Sequence, residues 1–71
     1  MGRPPPITNR VRELREAHEM SQAVLGEAIG VTRQTIIAIE QGRYSPSLES
    51  AFRIARFFGV GLESVFGWEP D

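Results

Sequence analysis

The segment Gly30–Gly42, GVTRQTIIAIEQG, holds the side chains best suited to reading another molecule. Two amides, Gln34 and Gln41, and one guanidinium, Arg33, share this stretch with three isoleucines. At about 100° per helical residue, Ile36 and Ile39 point one way and define a buried direction. Gln34, Ala38 and Gln41 then point the opposite way, and Ile37 lies on the flank beside Arg33. The outward surface is Arg33, Gln34, Ile37, Ala38 and Gln41. A glutamine amide matches the edge of adenine, a guanidinium that of guanine, and an apolar side chain the thymine methyl. Helices that read the DNA major groove do so with their N-terminal residues, where Arg33 and Gln34 sit, and small Ala38 permits close approach. The competing reading is a plain solvated face, which would favour Glu and Lys over an exposed isoleucine.

The elements around this helix are legible from caps and periodicity. Thr32 is placed to cap it, with Thr35 in the first turn, and Gly42 to stop it. Before it, Ser21 caps a helix with Val24, Leu25, Ala28 and Ile29 on its apolar side, ending at Gly30. The short "GVT" link between the two predicts a steep crossing, a helix-turn-helix. Gly26 sits inside the first of these helices at a cost of about 1 kcal/mol relative to alanine; close approach of another helix would justify it. An earlier helix begins after Thr8 or Asn9, with Val11, Leu14, Ala17 and His18 or Met20 in phase. "RYSPS" is turn chemistry. A fourth helix places Leu48, Ala51, Phe52, Ala55 and Phe58 inward. A short fifth places Leu62, Val65 and Phe66 inward. No stretch alternates with period two, so the expected class is all-α, five helices without strands. The expected organisation is a flexible N-terminal tail over 1–7, a domain over 8–67 and a C-terminal tail over 68–71.

Composition narrows the function classes. The chain has 71 residues and no cysteine, so it has neither a disulfide nor a thiolate metal site. With one histidine, His18, a dedicated metal site is not expected. His18 is read as a helix C-terminal cation or an exposed side chain, because no base, nucleophile and orienting acid converge on it. Neither a membrane span nor a signal peptide is expected. Net charge is −1, without the basic excess that announces nucleic acid. Every basic side chain is arginine, and the first half, through Ser45, is net positive while the second is net negative. Such an asymmetry suits a first half facing phosphate. In the proline-rich N-terminus, Arg3 could reach a phosphate, though a disordered tail is the simpler expectation.

The residues from Asn9 to Phe66 resemble, almost end to end, the lambda-repressor-like Cro/cI (XRE) family of helix-turn-helix regulators. The resemblance is carried by "RELR", "SQ", "LG", "IGVTRQTI", "IEQG" and the Tyr, Pro and Ser that follow. The sequence departs from the family at Gly26, where alanine is usual, and at Ile37, where a small or polar residue is common. The first departure is not expected to harm the fold. The resemblance implies a five-helix DNA-binding domain on double-stranded DNA, in a prokaryotic cytoplasm and associated with the nucleoid, without cofactor, metal or catalysis. It implies that Gln22 donates to a phosphate beside its helix N-terminus, and that Thr32 and Thr35 bond phosphate or base. Gln41, Arg43 and Tyr44 would hold the DNA backbone. Arg15 and Glu40 fall at the family's internal ion pair.

Two function classes remain. One is a sequence-specific transcriptional regulator acting as a homodimer on a pseudo-palindromic operator. The other is an antitoxin or protein-interaction module of the same fold, with a protein partner. A spare apolar surface drawn from Phe57, Val60, Leu62, Val65 and Trp68 would serve the homodimer, with Phe57 and Trp68 its expected centre.

Overall fold

The structure, a computed structural model, describes residues 5–69. Arg3 lies outside them. Three hydroxyl caps start three of the helices. Ser21 Oγ accepts from the Val24 amide at 3.1 Å, Thr32 Oγ1 from that of Thr35 at 3.2 Å, and Ser47 Oγ from that of Ser50 at 3.1 Å. Each satisfies an amide that the helix itself leaves without a partner. The elements in chain order are β1 (Ile7–Asn9), α1 (Val11–Ala17), α2 (Gln22–Ile29), α3 (Arg33–Glu40), α4 (Leu48–Phe58), α5 (Leu62–Val65) and β2 (Phe66–Trp68).

The helix-turn-helix is formed by α2 and α3. Gly30 ends α2 in the left-handed conformation, φ 82°, and the chain turns within two residues to the Thr32 cap. Gly26 is in contact with that turn. A Cβ there would lie 2.8 Å from the Val31 carbonyl oxygen and 3.2 Å from the Thr32 carbonyl carbon. The close approach expected at Gly26 is therefore made by the turn's backbone. Backbone yields less readily than a side chain, so alanine at this position would push α3 away from α2.

The core gathers Val11, Leu25, Ile29, Ile36, Ile39, Ile54, Ala55, Phe58 and Val65 from all five helices. Ile36 and Ile39 are completely buried, and Ile37 is only partly so. The helical phase inferred for α3 is the one the chain adopts.

Three sequence expectations need correction. First, a two-stranded antiparallel sheet exists, pairing Ile7 with Trp68, Thr8 with Gly67 and Asn9 with Phe66. All-α is thus approximate, and residues 7 and 68, expected in tails, are sheet residues. Three-residue strands are too short to display alternation, and their pairing spans nearly the whole chain. Second, Leu48 and Phe52 are exposed, and Val24 and Ala28 with them, while the unassigned Ile54 is fully buried. The buried arc of α4 is centred on Ala51, Ile54, Ala55 and Phe58, which leaves Leu48 and Phe52 on one flank and Phe57 on the other. Third, Val65 is 1% exposed. It closes the core between α5 and α1 and cannot contribute to a contact with a second molecule. Val60 and Leu62 are partly buried against the same core.

Thr8 and Asn9, expected as alternative helix caps, act differently. Arg10 holds the N-cap position of α1, and Asn9 Oδ1 accepts from the Val11 amide at 3.1 Å. Asn9 Nδ2 donates across the domain to the Ile39 carbonyl at 2.8 Å.

Candidate nucleic-acid interface

The C-terminal turn of α3 is fixed by a polar lock. Arg15 Nε donates to Glu40 Oε2 at 2.7 Å and Arg15 Nη2 to Glu40 Oε1 at 3.1 Å, a two-pronged pairing. The third guanidinium nitrogen, Nη1, donates to the Met20 carbonyl at 2.8 Å. Side-chain exposure is 11% for Arg15 and 3% for Glu40. The hydrogen bond from Arg15 to Glu40 raises the guanidinium pKa further above its ordinary value, against the opposing effect of burial. Asn9 adds its bond to Ile39, one residue before Glu40. These links tie the last turn of α3 to α1 and to β1.

Gln22 shares this lock. Its Nε2 donates to Glu40 Oε1 at 3.1 Å. An amide nitrogen carries two hydrogens, so one remains to donate outward from the first residue of α2. Thr32 is occupied as the cap of α3, and its Oγ1 also lies 3.0 Å from Thr35 Oγ1.

An open cleft of about 500 Å³ lies above the lock. Gln22, Arg33 and Gln41 line it together with Ser21, Ala23 and Arg12, and Arg15 and Glu40 form its floor. The cleft therefore joins the N-termini of α2 and α3 to the residue that ends α3. Two helix N-termini, each capped at one amide and presenting its positive dipole end, favour an anion there. Arg12 was not among the residues singled out from the sequence. It pairs with Glu16 on an exposed face of α1, at 3.1 Å. Only the packing of α1 beside α2 brings it to the cleft, and no spacing in the sequence signals that.

The remaining candidates form the outer surface of α3 and the loop after it. Gln34 is exposed, Thr35, Ile37 and Ala38 are partly exposed, and Arg43 and Tyr44 are exposed beyond Gly42. None of these lines the cleft. Phe57 is 44% exposed on the far flank of α4, where its ring meets that of Phe58 edge-on at 5.3 Å. His18 stands nearby. Its ring lies 5.0 Å from that of Phe58, and its Nδ1 lies 2.9 Å from the Leu14 carbonyl.

Among the described residues, no cluster of three or more His, Asp or Glu could hold a metal, and no helix is long and apolar enough to cross a membrane.

Comparison with known proteins agrees with this geometry. A helix-turn-helix family model matches residues 11–65. An uncharacterized HTH-type transcriptional regulator of Methanocaldococcus jannaschii is 51% identical over 65 residues, covering 92% of this chain and 98% of the relative. The cryptic phage CTXphi transcriptional repressor RstR of Vibrio cholerae is 36% identical over 83% of this chain, which spans about half (53%) of that repressor. The crystal structure of the restriction-modification controller protein C.AhdI from Aeromonas hydrophila superposes with a TM-score of 0.72 at 29% identity, covering 78% of this chain and 83% of that one.

Proposed function

Since the chain belongs to the helix-turn-helix family of transcriptional regulators, in its lambda-repressor-like Cro/cI (XRE) branch, we propose that it recognises a specific double-stranded DNA sequence by laying α3 in the major groove. The observation that carries this reading is the orientation of α3. Its two apolar anchors are buried at 0%, its last turn is locked by Arg15, Glu40 and Asn9, and its outer face is left to Arg33, Gln34, Ile37 and Ala38. Arg33 and Gln34 stand in the first turn, where they reach base edges. Ile37 meets a thymine methyl, and Ala38 lets the helix settle.

Phosphates on either side hold the domain in register. One enters the cleft at Gln22, met by the free amide hydrogen of that residue and by Arg12. The other is held by Gln41, Arg43 and Tyr44, with Thr32 and Thr35 contributing at the start of α3. Such contacts position the protein without specifying sequence. One domain grips too little DNA to hold a unique site. Two copies on a pseudo-palindromic operator, with reading helices about 34 Å apart, complete the proposal.

Selection of bound fragments from a random duplex pool tests it. The expected outcome is one enriched motif in two inverted halves, with binding that weakens steeply as salt rises. Arg33→Ala should then lose about 1–3 kcal/mol on that motif and relax preference at one base pair. Gln22→Ala should weaken all sequences nearly alike. Equal loss on specific and random DNA for Arg33→Ala would falsify the reading role, and a pool with no enriched motif would overturn the function.

A further inference from the structure

Of the eight arginines, Arg3 lies outside the described residues and four are paired with carboxylates of their own chain: Arg10 with Glu13, Arg12 with Glu16, Arg15 with Glu40 and Arg53 with Glu49. Of these four, Arg12 and Arg15 line the cleft beside α2 and α3. Arg15 is committed to the buried lock with Glu40. Arg12 can change partners, since its side chain is 71% exposed and that of Glu16 55%. One hydrogen bond holds it, from Nε to Glu16 Oε2 at 3.1 Å, and its two terminal nitrogens have no partner among the described residues. Arg33 lines the same cleft with no carboxylate partner among the described residues. Arg33 therefore brings its full charge to the cleft, and Arg12 does not.

The pairing of Arg12 with Glu16 does little for α1 itself. Arg12 is the second residue of that helix and Glu16 the last but one. A cation near the N-terminus and an anion near the C-terminus both oppose the helix dipole. The order is also the less favourable one for a pair four residues apart, with the base ahead of the acid. Solvent screens what attraction remains. What Glu16 does change is the field at the cleft. It sets a negative charge against the Arg12 guanidinium, and its influence reaches the cleft floor. The pKa of Arg15 is raised first by its hydrogen bond to Glu40 and, last among its causes, by the charge of Glu16.

We propose that Glu16 is a counter-charge against phosphate: by holding Arg12 it weakens the grip of the domain on every duplex alike, without altering which bases α3 reads. The inference rests on the proposed DNA-binding function and adds to it a residue that touches neither base nor phosphate. A phosphate entering at Gln22 meets an Arg12 whose charge is already partly neutralised, and it lies near the carboxylate as well. Contacts to phosphate carry no sequence information, so the weakening is uniform. Each encounter with random DNA is shortened, while the ratio of specific to random binding stays where α3 sets it. A net charge of −1, in a chain proposed to bind a polyanion, agrees with a restrained rather than a maximal grip.

Glu16→Gln tests the charge alone, because the amide oxygen still accepts from Arg12 Nε. Glu13→Gln is the control. It makes the same change in net charge on the same helix, at a pair that does not line the cleft. Equilibrium binding to the selected duplex and to a random one, each over a range of salt, supplies the readout. Glu16→Gln should bind both duplexes about two- to fivefold more tightly than Glu13→Gln, the range that an exposed ion pair spans. Its log affinity should also fall more steeply with log salt, by a fraction of the about 0.9 that one full phosphate contact contributes. In an Arg12→Ala background the advantage over Glu13→Gln should vanish. A carboxylate with a purely structural role would leave the salt slope unmoved. Equal binding by Glu16→Gln and Glu13→Gln overturns the inference, and so does an advantage that survives Arg12→Ala undiminished. Weaker binding by Glu16→Gln overturns it as well, and makes the carboxylate a guide for Arg12 instead of a brake. A wild-type chain that binds neither duplex removes the DNA-binding function and this inference together, whereas salt-sensitive wild-type binding with no difference between the two variants removes the inference alone.

Discussion

The outer faces of α3 and α4 are built on opposite principles. Polar side chains flank Ile37 and Ala38 on the outside of α3, and three polar links restrain its last turn from within, through Asn9, Arg15 and Gln22. Apolar side chains cover one outer flank of α4, and its outward charges are held weakly. Arg53 pairs with Glu49 along the exposed helix and reaches the Ile29 carbonyl only at 3.4 Å. A helix that must present side chains in a fixed geometry needs rigid anchoring and polar tips. One that offers a broad contact needs area. The two kinds of surface sit on neighbouring helices of one small domain without sharing residues.

The contrast breaks most visibly at the isoleucines. Ile36→Ser removes an anchor that is completely buried and leaves a hydroxyl and a cavity, at a cost of about 4 kcal/mol. Domains of this size have little stability to spare, so thermal denaturation followed by circular dichroism should find the variant largely unfolded. A cooperative transition near that of the wild type would mean that α3 is not fixed by its apolar face.

Glu40→Ala tests the polar half of the same claim. It leaves the Arg15 guanidinium, 11% exposed, with only the Met20 carbonyl as partner. A cost of about 3 kcal/mol is expected, at the low end for breaking a buried pair. A double-mutant cycle with Arg15→Ala should show strong coupling. Independent effects would remove the lock from the account of α3.

Ile37→Ser should behave unlike its neighbours. Its side chain is partly exposed, so the melting temperature should move little, by less than about 1 kcal/mol in stability. Base preference in the selected motif should change instead. Severe destabilisation would show that Ile37 belongs to the core.

The smallest effect is expected at Glu13. Arg10 holds its carboxyl below the usual range, first by a hydrogen bond and then by charge. A depressed folded value means that the contribution is present at neutral pH and fades as pH falls through that value. Both side chains are more than half exposed, and solvent screens such pairs. Glu13→Gln should therefore melt with the wild type at pH 7 and at pH 3 alike. A difference of several degrees at pH 7 that vanishes in acid would show that this exposed pair matters after all.

The contrast between α3 and α4 also explains what could be read before the fold was known. Polar residues interrupt the apolar ones in α3 so as to leave a single possible buried direction, and Ile36, Ile37 and Ile39 sorted themselves accordingly. In α4, LESAFRIARFF, apolar residues fill one broad arc that includes both Phe52 and Phe57, with Glu49, Arg53 and Arg56 opposite it. Periodicity alone could not tell the flank of Leu48 and Phe52 from the arc of Ile54 and Phe58. The ion pair of Arg15 and Glu40 was legible only through family resemblance, since 25 positions separate its members. Arg12 at the cleft and the two strands were illegible for a related reason. Their roles depend on how distant segments pack, and no local pattern records that.

The small sheet has a consequence for motion. Its two strands have three residues each, and among them only Phe66 packs on the core. It should therefore open well before the core does, exchanging its amide hydrogens through local fraying at free energies far below that of global unfolding. Asn9, however, belongs both to that sheet and to the Ile39 carbonyl near the end of α3. Each opening that carries Asn9 away removes one of the polar restraints on the last turn of α3 and leaves those of Arg15 and Gln22. Breathing at the joined chain ends would then be felt as a loosening 30 residues away, in the helix proposed to read DNA.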